Sequence, residues 1–253
     1  MRQKGAHSQR RKSSKADTYH HGDLRSALID AAIQLLNKMS PEQLSLRQLA
    51  RQAGVSVAAP YRHFRDKDEL LAAISEQGFD LKYKYMAEAI RSAEGDAREM
   101  FYAAGVAYFR MGLKHPQHFK LMSSNSIVPD ERYPQLMQTA CKSFLLLKAM
   151  IEHLQAKKIM GPGNPYHRAM NCWCVVNGFT TLYVEGRLTW LGVNPTNAEE
   201  ALRTLLEQYT RGTDAALPED GFKLFASGTA NMEKLALMQT LDREIANEFQ
   251  NMI

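Results

Sequence analysis

The sequence has few of the features that mark secreted or membrane-spanning proteins. It contains three cysteines in 253 residues, Cys141, Cys172 and Cys174, which is too few for a disulfide framework and favours a reducing compartment. No run of about 18 or more apolar residues occurs, so we expect neither a membrane span nor a membrane partner. The basic N-terminus is not followed by an apolar stretch, so no secretory signal is predicted. These absences favour a cytoplasmic protein.

The common catalytic and metal-binding motifs are also missing. There is no Gly-x-Ser-x-Gly, no phosphate-binding P-loop and no dinucleotide fingerprint. Glu199 and Glu200 fall at a predicted helix start, where the helix dipole already favours carboxylates. Cys172 and Cys174 are two residues apart, so on a helix they point to different faces and are better interpreted as small apolar side chains than as a chelate. We therefore predict no catalytic residue, no metal site and no cofactor.

Positive charge is concentrated in the first quarter of the chain. Residues 1–15 carry six Lys or Arg and no acid, residues 16–67 carry a net +2, and the remaining 186 residues carry a net −3. This asymmetry is typical of a polyanion-binding end joined to a body that binds something else. Residues 1–18 have almost no apolar groups and are predicted to form a disordered basic tail, which either contacts DNA or binds nothing.

The spacing of apolar residues predicts helices along the whole chain, and no segment alternates as a strand does. The fold class is therefore predicted to be all-α. Ser45 with Gln48, and Asp66 with Glu69, have the spacing of capping boxes that begin helices. The predicted helices cover residues 24–39, 46–53, 57–64, 67–90, 97–114, 116–124, 134–158, 166–188, 197–211 and 229–249.

Residues 45–64 have the plan of a helix-turn-helix, in which the second helix enters the DNA major groove. A glycine turn between short helices occurs in many α proteins, so the spacing alone is only moderately specific. The segment from Val57 to Phe64 has no acid and begins with small side chains, which favours a close approach to base edges. Candidate phosphate contacts are Arg47, Tyr61, His63 and Lys67, and candidate base contacts are Val57, Ala58 and Arg62.

These motifs, in this order and spacing, resemble the N-terminal domain of TetR-type transcriptional regulators over residues 19–75. The resemblance implies a homodimer of all-α subunits whose N-terminal helices bind double-stranded operator DNA. It also implies a larger C-terminal domain that dimerises and binds a small effector, and a cytoplasmic protein associated with the nucleoid through DNA. The matching runs are Tyr19-His20-His21-Gly22-Asp23-Leu24-Arg25, Leu46-Arg47-Gln48-Leu49-Ala50, Ala53-Gly54-Val55-Ser56, Tyr61-Arg62-His63-Phe64, Lys67 and Leu70-Leu71.

The C-terminal part carries a second resemblance. Residues 108–122 are similar to a TetR subgroup that has a Trp-His-Gly signature further along the chain. Here Trp173 precedes Asn177-Gly178, so an asparagine replaces the histidine. We divide the chain into a tail (1–18), a helix-turn-helix domain (19–67), an effector-binding and dimerisation domain (68–211) and a C-terminal extension with one more helix (212–253).

The effector is expected to be small and hydrophobic, because helical domains bind ligands in mostly apolar cavities between helices. The predicted function is a ligand-relieved repressor that binds a pseudo-palindromic operator. A co-repressor-dependent regulator and a non-specific DNA-binding protein are the alternatives. Side chains of this kind are more often plain core than ligand contacts. The candidate effector contacts are Phe101, Tyr108, Met122, Phe144, Trp173, Asn177 and Tyr183.

Overall fold

A computed structural model describes residues 21–211 and 232–253, and the regular structure in these two ranges is entirely helical. This confirms the predicted all-α class. No helix within the described ranges is long and apolar enough to cross a membrane. The predicted tail, and the start of the C-terminal extension, lie outside the described residues. The α-helices are α1 (His21–Leu36), α2 (Leu46–Gln52), α3 (Lys67–Ser92), α4 (Ala97–Lys114), α5 (Pro116–Ser123), α6 (Pro134–Ala156), α7 (Pro165–Val184), α8 (Ala198–Arg211) and α9 (Met232–Gln250).

The helix starts follow the capping residues that the sequence indicates. Asp66 Oδ1 accepts a hydrogen bond from the backbone N–H of Glu69 at 2.8 Å, which fixes the start of α3. Ser45 Oγ accepts from the backbone N–H of Gln48 at 3.3 Å. However, the Ser45 hydroxyl donates to Gln48 Oε1 at 2.7 Å, so only half of the predicted reciprocal capping box forms there.

Two hydrophobic cores share α3. The first half of α3, as far as Phe79, packs with α1 and α2, while residues from Tyr83 to Ile90 pack with α4 and α6 to α9. The first core also includes Leu121 and Ile127, which come from the C-terminal part of the chain. The change from one core to the other therefore falls inside α3, between Phe79 and Tyr83.

The C-terminal extension contains the additional helix that its apolar spacing predicts. Leu241, Ile245 and Phe249 of α9 are buried, and α9 packs mainly along α6. Lys148 Nζ of α6 lies 2.7 Å from Asp242 Oδ1 of α9, and the Tyr166 hydroxyl donates to the other carboxylate oxygen at 3.0 Å. This polar cluster fixes α9 against the body.

Candidate DNA-binding surface and effector cavity

The second element of the helix-turn-helix is a short turn instead of the predicted α-helix over residues 57–64. It consists of a turn at residues 57–59 and a 3₁₀ helix, Pro60–Arg62. The physical reason is Pro60, which has no N–H to donate to the carbonyl of Ser56. The N–H of Ala59 donates to that carbonyl instead, at 2.9 Å, and the N–H of Phe64 closes the turn on Pro60 O at 2.9 Å. The prediction of an α-helix is therefore wrong at this point.

The turn presents one face to solvent and packs the other into the N-terminal core. Val57 is 47% exposed and Tyr61 is 54% exposed, whereas Pro60 and Phe64 are buried. Gly54, with φ of +68°, supplies the left-handed residue that the tight link after α2 needs. An exposed valine and tyrosine on a rigid turn form a surface suited to contacting another molecule.

The seven predicted DNA contacts differ in accessibility. Arg47 lies exposed on α2, and Val57, Ala58, Tyr61 and Arg62 are exposed on the turn. His63 and Lys67 are half-buried. Lys67 Nζ donates to the backbone carbonyl of Glu42 at 3.2 Å, so this side chain also links α3 to the segment before α2.

One exposed cation beside this surface was missed in the sequence interpretation. Arg65 follows the turn directly and forms an ion pair with Asp66, Nε to Oδ2 3.0 Å. Both groups are substantially exposed, so the pair contributes little to stability and leaves the guanidinium accessible. The sequence did carry a signal for Arg65, because it lies between Arg62 and Lys67, which were both predicted DNA contacts.

A small cavity lies between α3, α4, α6, α7 and α8. Its volume is about 30 Å³, room for one or two water molecules, so it is too small for a larger ligand in this conformation. Four of the predicted effector residues line it: Phe101, Tyr108, Phe144 and Trp173. The walls that the sequence interpretation missed include Lys82, Met86, Leu147, Cys172, Val176 and Leu206.

The other three predicted effector residues lie away from the cavity walls. Asn177 Oδ1 accepts hydrogen bonds from the Tyr108 hydroxyl at 2.8 Å and from Ser123 Oγ at 3.1 Å. Met122 packs so tightly against Gly78 that a Cβ there would overlap its sulfur. Tyr183 packs edge-on to Phe109, with ring centroids 5.0 Å apart. In this conformation the three residues hold helices together.

Among the described residues that line the cavity, Lys82 is the only charged one, and it is 5% exposed. Its Nζ lies 5.2 Å from the ring centroid of Tyr108, 5.4 Å from that of Phe79 and 5.9 Å from that of Trp173. Burial lowers the pKa of Lys82 to about 8. The available sequence signal was its spacing, since Lys82 falls on the same helix face as Phe79 and Met86.

The outer faces of α7 and α8 carry exposed apolar groups. Trp173 is 38% exposed and Leu205 is 36% exposed, whereas Leu202 is fully buried within the subunit. In a single subunit α7 is therefore only partly buried, and Cys174 is also exposed. No group of three or more His, Cys, Asp or Glu residues suited to a metal ion occurs in residues 21–211 and 232–253.

The comparisons with known proteins agree with this architecture. Residues 28–74 match the family described as bacterial regulatory proteins, tetR family, and residues 101–209 match the tetracyclin repressor-like C-terminal domain. A solved structure of a protein with unknown function from Rhodococcus sp. RHA1 is 34% identical, with a TM-score of 0.68, and covers 79% of this chain and 100% of that one.

Two further solved structures are more distant and show the fold alone. The TetR family transcriptional regulator PfmR from Thermus thermophilus is 21% identical, with a TM-score of 0.55, and covers 73% of this chain and 97% of that one. The fatty acid degradation regulator FadR from Bacillus halodurans is 16% identical, with a TM-score of 0.59. The match covers 72% of this chain and 93% of that one. From the two family matches and the helical architecture, this chain belongs to the TetR family of DNA-binding transcriptional regulators.

Proposed function

We propose that the protein is a repressor that binds a pseudo-palindromic operator as a homodimer and is released from it by a small ligand. The observation that carries this proposal is the continuity of α3. This helix begins beside the exposed turn at Lys67 and extends 26 residues to Ser92, roughly 39 Å, along the cavity. One rigid element therefore contacts both the DNA-binding domain and the ligand-binding domain.

In this proposal the turn after α2 enters the major groove. Val57, Ala58 and Arg62 are exposed and short or flexible enough to approach base edges. Arg47, Tyr61, His63 and Lys67 flank them and hold phosphates, with the contribution of Lys67 reduced by its bond to Glu42 O. A turn this short contacts few base pairs, so a single subunit would bind weakly. A second DNA-binding turn, here called a second reading head, is therefore required.

The second reading head comes from a second copy of the chain, joined through α7 and α8. Trp173 and Leu205 are the exposed apolar groups on these helices, and burying them between two copies removes apolar surface from water. Successive major grooves on one side of B-DNA are about 34 Å apart, so a two-fold pair whose turns have this spacing would fit a pseudo-palindromic site.

Ligand relief acts through the packing between the two domains. A ligand larger than the closed cavity must push its walls apart, and α3 is one of those walls. α5 also contacts the segment directly after α1, where Gln117 Nε2 donates to Asn37 Oδ1 at 2.8 Å. Movement of the body is therefore transmitted to the DNA-binding domain at two points. A shift of a few ångströms in the spacing of the reading heads weakens operator binding.

The proposal is tested by selecting bound fragments from sheared genomic DNA and measuring affinity by gel shift. We expect one or a few pseudo-palindromic sites to be bound much more tightly than random DNA of equal length at moderate salt. Equal affinity for all fragments would refute a sequence-specific regulator. A ligand that strengthens operator binding would identify a co-repressor-dependent protein instead.

A further inference from the structure

We propose that Lys82 is the counter-ion for a carboxylate ligand with an apolar body, bound in the cavity between α3, α4, α6, α7 and α8. Calling this ligand the effector rests on the proposed function, but the site itself does not. The inference narrows the ligand class from hydrophobic molecules in general to amphipathic monoanions.

The first argument is the lack of a counter-ion for Lys82. No carboxylate in residues 21–211 or 232–253 lies within ion-pair distance of Lys82, and its ammonium makes no hydrogen bond to a described residue. It faces only the rings of Phe79, Tyr108 and Trp173. Cation–π contacts recover only part of the cost of burying a charge, so the free protein keeps an incompletely compensated cation in its cavity.

The second argument is a comparison with Lys148, another buried lysine among the described residues. Lys148 is similarly inaccessible, but its ammonium lies 2.7 Å from Asp242 and 2.9 Å from Glu152. The protein thus supplies acidic partners to a buried lysine that only holds helices together. Lys82 differs because it borders the cavity. When the walls move apart for a ligand, its carboxylate can take the place that Asp242 takes at Lys148.

The remaining walls define the rest of the ligand. The Tyr108 hydroxyl donates to Asn177 and the Ser143 hydroxyl donates to Ala140 O, so neither donor is free for a ligand. Burial raises the pKa of the Cys172 thiol to about 12, which keeps it neutral. Lys82 supplies the single positive charge among the described walls, which suits a monoanion better than a phosphate dianion. The apolar body would contact Met86, Phe101, Leu147 and Val176.

The position of Lys82 also suits signalling. It lies 15 residues along α3 from Lys67, roughly 22 Å from the start of that helix at the DNA-binding surface. A carboxylate drawn to this ammonium is therefore held on the same helix that carries the proposed allosteric movement.

The test measures ligand affinity by fluorescence of Trp173, the cavity-lining tryptophan, in a Trp190→Phe background that leaves it as the only tryptophan. The ligands are octanoate, decanoate and hydrocinnamate, each paired with the corresponding neutral alcohol. The variants are Lys82→Met and Lys82→Gln. The matched control is Lys84→Met, which removes an exposed lysine two residues away on α3 that pairs with Asp80.

We expect at least one carboxylate to bind the parent protein at least about tenfold more tightly than its alcohol, because only the anion compensates the buried charge. Both Lys82 variants should abolish that preference, and Lys84→Met should keep it. The proposal is overturned if no carboxylate binds, if alcohols bind as tightly as carboxylates, or if a folded Lys82 variant retains parental carboxylate affinity.

Operator binding by the ligand-free protein is measured in parallel by gel shift. Loss of the carboxylate preference in the Lys82 variants supports the anion site whether or not DNA affinity changes. Absence of specific DNA binding refutes the proposed function and leaves the anion site standing.

Discussion

The hydroxyl of Tyr108 donates a hydrogen bond to Oδ1 of Asn177 at 2.8 Å, joining α4 to α7 beside the cavity. The resemblance to a subgroup with a Trp-His-Gly signature predicts a histidine at this position, where this chain has Asn177. An amide side chain does not titrate near neutral pH, so this junction keeps its acceptor at any physiological pH. The residue chosen from sequence as an effector contact thus positions a cavity wall, and its influence on a ligand would be exerted through Tyr108.

We predict that Asn177→Ala lowers the free energy of unfolding by about 1–3 kcal/mol, because the buried Tyr108 hydroxyl loses its acceptor. In a Tyr108→Phe background the same substitution should cost less, since the donor is already absent. Chemical denaturation of the four proteins of this cycle measures the difference. Asn171→Ala, at an exposed position on α7, is the control. Equal costs in both backgrounds would show that the bond contributes nothing.

We predict different effects for two exposed arginines of the DNA-binding surface. Arg62→Ala should reduce the preference for operator over random DNA by about 1–3 kcal/mol, because it removes a base contact. Arg47→Ala should weaken both complexes equally and flatten the salt dependence by about one unit, because it removes a phosphate contact. Gel shifts at several salt concentrations distinguish the two. Arg91→Ala, at the far end of α3, should leave binding unchanged.

We predict that Leu205→Glu yields a folded monomer that no longer binds the operator. Leu205 is partly exposed on α8, so the charge disrupts the proposed contact with the second copy and leaves the subunit core intact. Leu202→Glu should instead unfold the subunit, because that side chain is fully buried. Sedimentation and circular dichroism separate the two results. A stable Leu205→Glu dimer would place the dimer contact elsewhere.

We predict that Lys82→Met stabilises the ligand-free protein by about 3 kcal/mol at pH 7, since burial lowers the pKa of Lys82 from 10.5 to about 8. Between these two values the unfolded chain binds more protons than the folded one, so the stability of the parent protein rises with pH. The loss of folding stability caused by burying the charged Lys82 ammonium is complete below pH 8 and disappears above pH 10.5. The extra free energy of unfolding of Lys82→Met over the parent protein should therefore shrink to nearly zero between pH 8 and pH 10.5.

Urea unfolding of both proteins at several pH values tests this prediction, and other titrating groups cancel in the difference between them. A constant difference across the interval would mean that Lys82 is not desolvated in solution.

Much of the fold follows from local sequence signals, because apolar spacing and caps are properties of neighbouring residues. Asp66 fixes the start of α3, and the apolar stripe of α9 predicts a buried helix. The 3₁₀ turn at Pro60 was missed because a proline at the start of a helix and one that prevents the helix look the same in sequence. The role of Asn177 depends on Tyr108 and Ser123, which are 69 and 54 residues away.

Lys82 was missed for a related reason. A lysine on an apolar helix face usually extends its ammonium to water, and spacing alone cannot show that Tyr108 and Trp173 block the way. The family-level function was accessible from motifs at the DNA-binding end, where residues act close to their neighbours in sequence. The cavity combines side chains from five helices, so its composition emerges only when these helices pack.

The small volume of the cavity also has a consequence for the speed of a response. Because the closed form holds only one or two waters, a ligand can enter only while the helices are apart. The observed association rate should then level off at high ligand concentration, at the rate of helix opening. The time a cell needs to respond would be set by how often the subunit opens, and raising the ligand concentration further would not shorten it.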